Sequence, residues 1–320
     1  MSLPPRKILI VDKAAPSLAN DLQQHGFFCE TRMDLSYDEF LRLPDDLYGL
    51  VIRSRFVVDK SLIDSKSHLR FIARLGSGVE NIDTHYAESK GICCISTPEG
   101  NAQAVAEHAL GLLLGALKNI PRANDEVRDG KWLRERNKGH EIASRTIGII
   151  GYGHTGPAFA NLLRNFGCGI YIYDKFRHDL SHLDSPYIHI VPLETILQRC
   201  NVISLHVNYL PENKYFINED FLSKAQDGLI LINTSRGNVV DTQALVKNLK
   251  SGKVGYACLD VLEYESVNLK NTPIEAWEPA MRELAGMDNV ILTPHIAGQT
   301  YESEQKHADL AVRKILQIDE

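Results

Sequence analysis

The segment from Thr146 to Asp174 constrains this chain more than any other feature. An apolar run, Thr146–Ile150, feeds straight into Gly151-Tyr152-Gly153-His154-Thr155-Gly156, a helical pattern follows over Ala158–Arg164, and a second apolar run, Gly169–Tyr173, ends in Asp174. The Gly-x-Gly-x-x-Gly pattern alone arises by chance, but strand, helix and acid together specify a βαβ unit that binds a dinucleotide. Gly151 permits the tight turn, Gly153 lets backbone approach a pyrophosphate, and Gly156 lets helix and strand pack closely. The helix start at His154 and Thr155 then offers unpaired N–H groups to the anion. Pro157 stands just inside that start, where its missing N–H costs nothing. Asp174, eighteen residues beyond Gly156, is placed to bond the adenosine ribose hydroxyls. A carboxylate there also repels a 2′-phosphate, which favours NAD over NADP, while Lys175 and Arg177 pull the other way.

Short β-rich runs alternate with helical patterns along the whole chain, as in parallel α/β architecture. The first series is Lys7–Val11, Phe27–Glu30, Leu50–Arg53, Phe71–Arg74 and Ile92–Ile95, with helix-like Ser17–Gln24 and Asp59–Ser65 between. It carries no glycine fingerprint and forms a small domain of its own. The second series is Thr146–Ile150, Gly169–Tyr173, Val202–His206, Leu229–Asn233, Val254–Leu259 and Val290–Leu292. Six strands match a dinucleotide-binding sheet. Tyr301–Ile318 has Ala308, Ala311, Val312, Ile315 and Leu316 at helical spacing and is expected to pack back on the first domain.

Composition excludes several classes. A net charge of −6 with Lys and Arg scattered leaves no basic footprint for nucleic acid. The six cysteines form no Cys-x-x-Cys pair and lie mostly in apolar runs, so free thiols in a reducing compartment are expected, and no metal. The N-terminus lacks the long apolar region of a signal peptide, which points to the cytoplasm. Ala102–Leu117 is too short for a membrane span and carries Gln103, Glu107 and His108. Its apolar residues wrap nearly all sides, so it is expected to be covered all round.

Ligands of open parallel sheets bind beyond the carboxyl ends of the strands. There the second series delivers Thr234-Ser235-Arg236-Gly237, Asp260, and Thr293-Pro294-His295 from three separate strands. Reduction of a 2-oxo acid needs a cation for the carboxylate, a proton donor for the nascent alkoxide, and a group that tunes the donor. Arg236 is a planar, permanently charged, two-pronged donor. His295 donates a proton near neutral pH. Glu265 is placed to pair with the imidazole and raise its pKa, with Glu263 competing for that role.

At this point the chain resembles the D-isomer-specific 2-hydroxyacid dehydrogenase family, over essentially its whole length. The marks are Gly76-Ser77-Gly78-Val79-Glu80-Asn81-Ile82-Asp83, Asn101 followed by Val105-Ala106-Glu107, the glycine turn, Asn233 through Gly237, Leu259-Asp260-Val261 through Glu265, and Thr293-Pro294-His295-Ile296-Ala297-Gly298. The resemblance implies a catalytic trio of Arg236, Glu265 and His295, with Asp260 near the nicotinamide amide and Thr234 and Gly298 among the NAD contacts. It implies that backbone around Ser77, Gly78 and Val79 meets the substrate carboxylate. It also implies a Rossmann-type doubly wound parallel sheet inserted into a smaller flavodoxin-like α/β substrate domain. The substrate domain is then residues 1–98 plus 296–320, the NAD-binding domain residues 99–295, with a cleft between them and a homodimer built around helix 102–117. Ser266 stands where members often carry proline, and Glu265 argues against formate as substrate.

Arg53-Ser54-Arg55 at a strand end and Arg74 before the Gly76–Gly78 loop suit a phosphorylated acid, since guanidinium reads phosphate bidentately. Within the family, Arg-Ser-Arg here is similar to the phosphate grip of members acting on 3-phosphoglycerate and 3-phosphohydroxypyruvate. Ordinary charge at a strand end is the competing reading, and hydroxypyruvate, glyoxylate or a larger 2-oxo acid the competing substrates. If phosphoglycerate is the substrate, a short form without an appended regulatory domain is expected, since the sequence runs to Glu320. A function of another class, an NAD-sensing protein of the corepressor kind, shares these motifs, and no peptide-docking or DNA-recruiting extension is visible.

Overall fold

The computed structural model describes residues 6–177, 180, 186–265 and 272–318. The chain begins with β1 (Arg6–Ile10), α1 (Pro16–Gln24), β2 (Phe27–Thr31), α2 (Tyr37–Leu41), β3 (Leu47–Ile52), α3 (Lys60–Asp64), β4 (Phe71–Arg74), α4 (Thr84–Ser89) and β5 (Cys93–Ser96). It continues with α5 (Ala102–Leu117), α6 (Ile120–Arg128), β6 (Thr146–Ile150), α7 (Thr155–Leu163), β7 (Gly169–Tyr173), β8 (Ile188–Ile190), α8 (Leu193–Arg199) and β9 (Val202–Leu205). The remainder is α9 (Glu219–Lys224), β10 (Leu229–Asn233), α10 (Thr242–Ser251), β11 (Val254–Leu259), α11 (Pro279–Ala285), β12 (Val290–Leu292) and α12 (Tyr301–Leu316). These elements fall into two compact units, Met1–Asn101 with Gln299–Glu320, and Ala102–Gly298.

In the first unit five strands pair in the order β2-β1-β3-β4-β5, all parallel. That is the flavodoxin-like order, whose topological switch point lies between β1 and β3. Residues alternate between two cores: Leu9, Leu50, Ile52 and Ile72 face one side, and Ile8, Ile10, Val51, Phe71 and Ala73 the other. Both faces are covered, so the strands are near-continuous apolar runs. The C-terminal helix α12 belongs here, inserting Ala308, Ala311, Val312 and Ile315 beside Leu18 and Leu22 of α1. Its start is fixed by a reciprocal capping box between Thr300 and Ser303.

The second unit holds seven parallel strands in the order β12-β11-β10-β9-β6-β7-β8. Numbered from β6, this is the Rossmann order with one further strand, and its switch point lies between β6 and β9. The sequence led us to expect six strands. The additional one, β8, is three residues, Ile-His-Ile, paired with β7 at the edge of the sheet formed by the described residues. A segment that short shows no resolvable period. Again the pleat sorts side chains into two cores, Ile147, Ile149, Ile170 and Ile232 with α5 and α7, and Ile150, Ile203, Leu205 and Leu231 with α9 and α10.

Two further expectations need correction. Helix α7 begins at Thr155, three residues earlier than its apolar pattern, because the glycine turn itself supplies the first helical turn. Helix α5 is not covered all round within the described residues. Ala106, Ala109, Leu113 and Ala116 are buried, but Gln103, Glu107 and Gly111 are exposed and Leu110 and Leu114 only half-buried. No helix among the described residues is long and apolar enough to cross a membrane.

Candidate active site and nucleotide site

The glycine turn is built as its spacing requires. Gly151 has φ +96, and a side chain on it would meet the His206 carbonyl oxygen at 2.5 Å, while one on Gly156 would meet the Gly151 carbonyl oxygen at 2.2 Å. Around Gly153 the space is open. The first turn of α7 has no side-chain cap at His154, so its N–H groups stay available to an anion. Asp174 pins the turn from the next strand: its carboxylate accepts from the amides of Tyr152 at 2.6 Å, Phe176 at 2.8 Å and Arg177 at 2.9 Å. A carboxylate has about four acceptor sites, which leaves capacity for a ribose hydroxyl. The Arg177 guanidinium donates to the Tyr152 carbonyl at 2.7 Å, so it too is part of this turn.

At the end of β10 the buried Asn233 side chain shapes the following loop. Its Oδ1 accepts from the amide and hydroxyl of Ser235, and its Nδ2 donates to the Arg236 carbonyl. Gly237 then approaches the Leu262 carbonyl so closely that a side chain would meet it at 2.0 Å, which draws the Arg236 loop against the loop carrying Glu265. Beside it the Thr234 hydroxyl is buried and has no hydrogen-bond partner among the described residues. A buried orphan polar atom is costly unless a ligand completes it. With the open Gly153 and the uncapped α7, the residues present fit a dinucleotide.

His295 has φ +58, an unusual conformation for a residue with a side chain and one that is maintained only where the surroundings over-determine it. Asp260, buried at the end of β11, does so. Its carbonyl accepts the His295 amide at 2.8 Å, its Oδ1 accepts from Ile296 N and the Thr293 hydroxyl, and its Oδ2 from Ala297 N. Thus Asp260, expected beside the nicotinamide amide, is also the organiser of the His295 loop. Gly298, half-buried, ends this loop and the unit. The His295 ring reaches Glu265, with Nδ1 to Oε1 at 3.0 Å and both side chains part-exposed. Glu263 is engaged elsewhere, accepting from the Tyr215 hydroxyl and the Thr242 amide. The competition left open by the sequence is therefore resolved toward Glu265. Ser266 lies outside the described residues.

The first unit gathers its candidates at the carboxyl ends of β1, β3 and β4. Asp12 is the centre of this rim: Oδ2 accepts from the amides of Arg53 at 2.6 Å, Ser54 at 2.9 Å and Arg55 at 3.0 Å. Arg55 turns its guanidinium back toward Asp12 and donates to the Val11 carbonyl at 3.1 Å, so it serves this internal network. Arg53 donates to Gln299 at 3.0 Å. Arg74 lies along the backbone of Gly76, where an added Cβ would meet its Nη1 at 1.8 Å. In the following loop the Ser77 hydroxyl donates to Asn101 at 2.9 Å, and Gly78 and Val79 are half-buried.

Sequence reasoning missed four polar residues of these rims. Asp12 follows the apolar run Lys7–Val11 of a central strand, a signal that was available. His206 ends the strand run it was assigned to; it bonds Ser204 and Thr155 and packs on Phe159, and complete burial pushes its pKa down to about 3. His108 of α5 bonds the Thr293 hydroxyl at 3.0 Å, a pairing separated by far too many residues to be visible as a motif. His307, buried on α12, bonds Thr97.

A Rossmann sheet with a glycine turn and a histidine–carboxylate pair on one rim defines a nucleotide-dependent oxidoreductase module. The sequence profile of "D-isomer specific 2-hydroxyacid dehydrogenase, NAD binding domain" matches residues 110–297. The chain is 35% identical over 285 residues to a hydroxypyruvate reductase of Thermotoga maritima, covering 89% of each protein. It is 33% identical over 298 residues to a D-3-phosphoglycerate dehydrogenase of Archaeoglobus fulgidus, covering 93% of this chain and 54% of that one, so it spans about half the length of that relative. The crystal structure of a glyoxylate reductase from Paecilomyes thermophila superposes with a TM-score of 0.85 at 26% identity, covering 98% of this chain and 95% of that one. The chain belongs to the D-isomer-specific 2-hydroxyacid dehydrogenase family and carries its NAD-binding domain.

Proposed function

We propose that this chain interconverts a short D-2-hydroxy acid and its 2-oxo acid, with His295 as the proton donor and acceptor. The observation that carries the reading is the His295–Glu265 pair, presented on the same strand-end rim as the glycine turn. Bound NAD(H) supplies or accepts the hydride. The chain's own residues do the rest. Glu265 accepts from Nδ1, which fixes the ring's orientation and leaves Nε2 to serve the substrate oxygen. Arg236 grips the carboxylate and polarises the ketone. Asp260 and Thr234 face the nicotinamide side of the nucleotide, and Gly151, Gly153, His154, Thr155 and Gly156 hold the pyrophosphate, with Asp174 on the ribose. In the first unit the Ser77, Gly78 and Val79 backbone takes the carboxylate.

Two substrate readings have separate support. Arg53 and Arg74 favour a phosphorylated tail, as in 3-phosphohydroxypyruvate. The internal pairing of Arg55 with Asp12 removes one cation from that grip, and the similarity to a hydroxypyruvate reductase over 89% of both chains favours the unphosphorylated acid. NADH-oxidation rates across 2-oxo acids with and without phosphate decide between them. A higher kcat/KM on 3-phosphohydroxypyruvate, lost in Arg53→Ala, selects the first. Absence of NADH oxidation with every acid would instead leave a nucleotide-binding protein without turnover. The open stripe of α5, with Gln103, Glu107 and Gly111 exposed, supports a homodimer, and a monomeric mass by light scattering at micromolar concentration would count against it.

A further inference from the structure

We propose that His307 is a positioning residue for the substrate carboxylate: through the Thr97 hydroxyl it holds the Gly76 amide, and with it the loop Gly76–Val79, in receiving geometry. This rests on the reading that the loop meets the carboxylate, and it assigns a role to a helix that otherwise only fills the core of the first unit.

The chain of contacts is short and almost wholly buried. His307 Nδ1 lies 2.7 Å from Thr97 Oγ1, and the Gly76 amide donates to that same oxygen at 3.0 Å. Thr97 N in turn donates to the Gly76 carbonyl at 2.9 Å, so the two residues are joined through both backbone and side chain. Thr97 is fully buried and His307 nearly so. His307 Nδ1 and the Thr97 hydroxyl share one hydrogen bond whose direction is set by the ring tautomer. Burial, followed by the charges of Arg53 and Arg74, pushes the His307 pKa down to about 4, so the ring is neutral.

Space is reserved for this ring. A side chain at Gly100 would meet Nδ1 at 2.4 Å, so the turn after Thr97 must lack one for His307 to reach the hydroxyl. The Arg74 guanidinium also packs close against Gly76. The loop is held by the Thr97–His307 pair at Gly76, while Ser77 is tied to Asn101. Each bond closes the distance between sequence-remote segments, and none is exposed enough for water to replace it freely. Backbone amides that bind an anion are effective only when their direction is set beforehand.

Steady-state kinetics with NADH and hydroxypyruvate, or the better acid from the screen, test the assignment. His307→Leu and Thr97→Val are each expected to raise KM about tenfold, the scale of one misplaced hydrogen bond to a charged ligand, with kcat and the NADH dissociation constant nearly unchanged. Thr97→Ser and His307→Gln, which keep a hydroxyl and an acceptor, are expected to restore KM. The double variant is expected to match the singles, since both break one chain. A lowered melting temperature with unchanged KM in both singles, or multiplying KM effects in the double, would overturn the proposal. If His307→Leu fails to fold, Gly100→Ala, which displaces the ring, carries the same KM expectation. Gly78→Ala separates the two layers of the argument. If it raises KM while the His307 and Thr97 variants do not, the relay is wrong and the loop reading stands. If it leaves KM unchanged, the loop reading fails first.

Discussion

The two units place the same topological feature to opposite use. In each, a first strand sits centrally in a parallel sheet and the strand order reverses beside it, between β1 and β3 in one and between β6 and β9 in the other. Such switch points open a crevice where ligands bind. In the second unit the crevice is lined by glycines, an uncapped helix start and an orphan threonine hydroxyl. In the first, the protein fills its own crevice: Asp12 occupies the three amides of Arg53-Ser54-Arg55 and neutralises Arg55. The same kind of crossover is left open where glycine follows the strand, as at Gly151, and is sealed where an aspartate two residues past the strand, Asp12, takes up the neighbouring amides.

The largest expected effect falls on the unit with the open crevice. His295→Gln should lower kcat by about 10²–10⁴-fold, the usual scale of a general acid–base group, with NADH affinity by fluorescence titration unchanged. Parallel loss of both would show that His295 supports the nucleotide rather than the proton transfer.

Acid should strain both units together. His206 in one and His307 in the other have pKa values pushed down to about 3 and about 4 by burial. Both are neutral when folded yet bind protons from about pH 6.5 downward when unfolded, so the stability they contribute is complete above that value and is lost as pH falls. Each then costs roughly 1.4 kcal/mol at about pH 5.5. A melting temperature that stays flat from about pH 7.5 to 5.5 would contradict their buried neutral state.

Asp12→Ala breaks the self-sealing directly. Three amides lose their acceptor, which should cost about 2 kcal/mol in urea unfolding, and millimolar inorganic phosphate should recover part of it by entering the vacated nest. Failure of phosphate to protect the variant would mean that the nest is not an anion site even when emptied.

The smallest effect concerns Asp174. Asp174→Ala should weaken NADH binding about tenfold, near 1.4 kcal/mol, and Asp174→Asn, which keeps an acceptor for the Tyr152 amide, should weaken it less. Equal losses would assign the whole effect to the ribose contact and none to the turn.

Legibility in the sequence followed the range of the physics involved. Both sheets, the glycine turn and the catalytic candidates were readable because short, near-continuous apolar runs and strand-end residues are local signals. The strand β8 was not, being three residues at an edge. The choice of Glu265 over Glu263 was not, because it depends on Tyr215 and Thr242 claiming the other acid. The phosphate reading of Arg55 was drawn from its charge, its place at a strand end and the family resemblance, without the aspartate that faces it.

By itself, the sequence determined that two parallel α/β sheets form, that one carries a dinucleotide turn, and which side chains reach its rim. These follow from near-continuous apolar runs separated by helical patterns, from the conformational freedom of glycine and from residue chemistry at strand ends, all encoded within a few tens of residues. Only the tertiary structure decided which charges are free and which are answered. Asp12 with Arg55, Asp260 with the His295 loop, and His307 with Thr97 and Gly76 join segments remote in the chain. Their energies depend on burial and on direction within a bond length, which no spacing of residues along a sequence specifies.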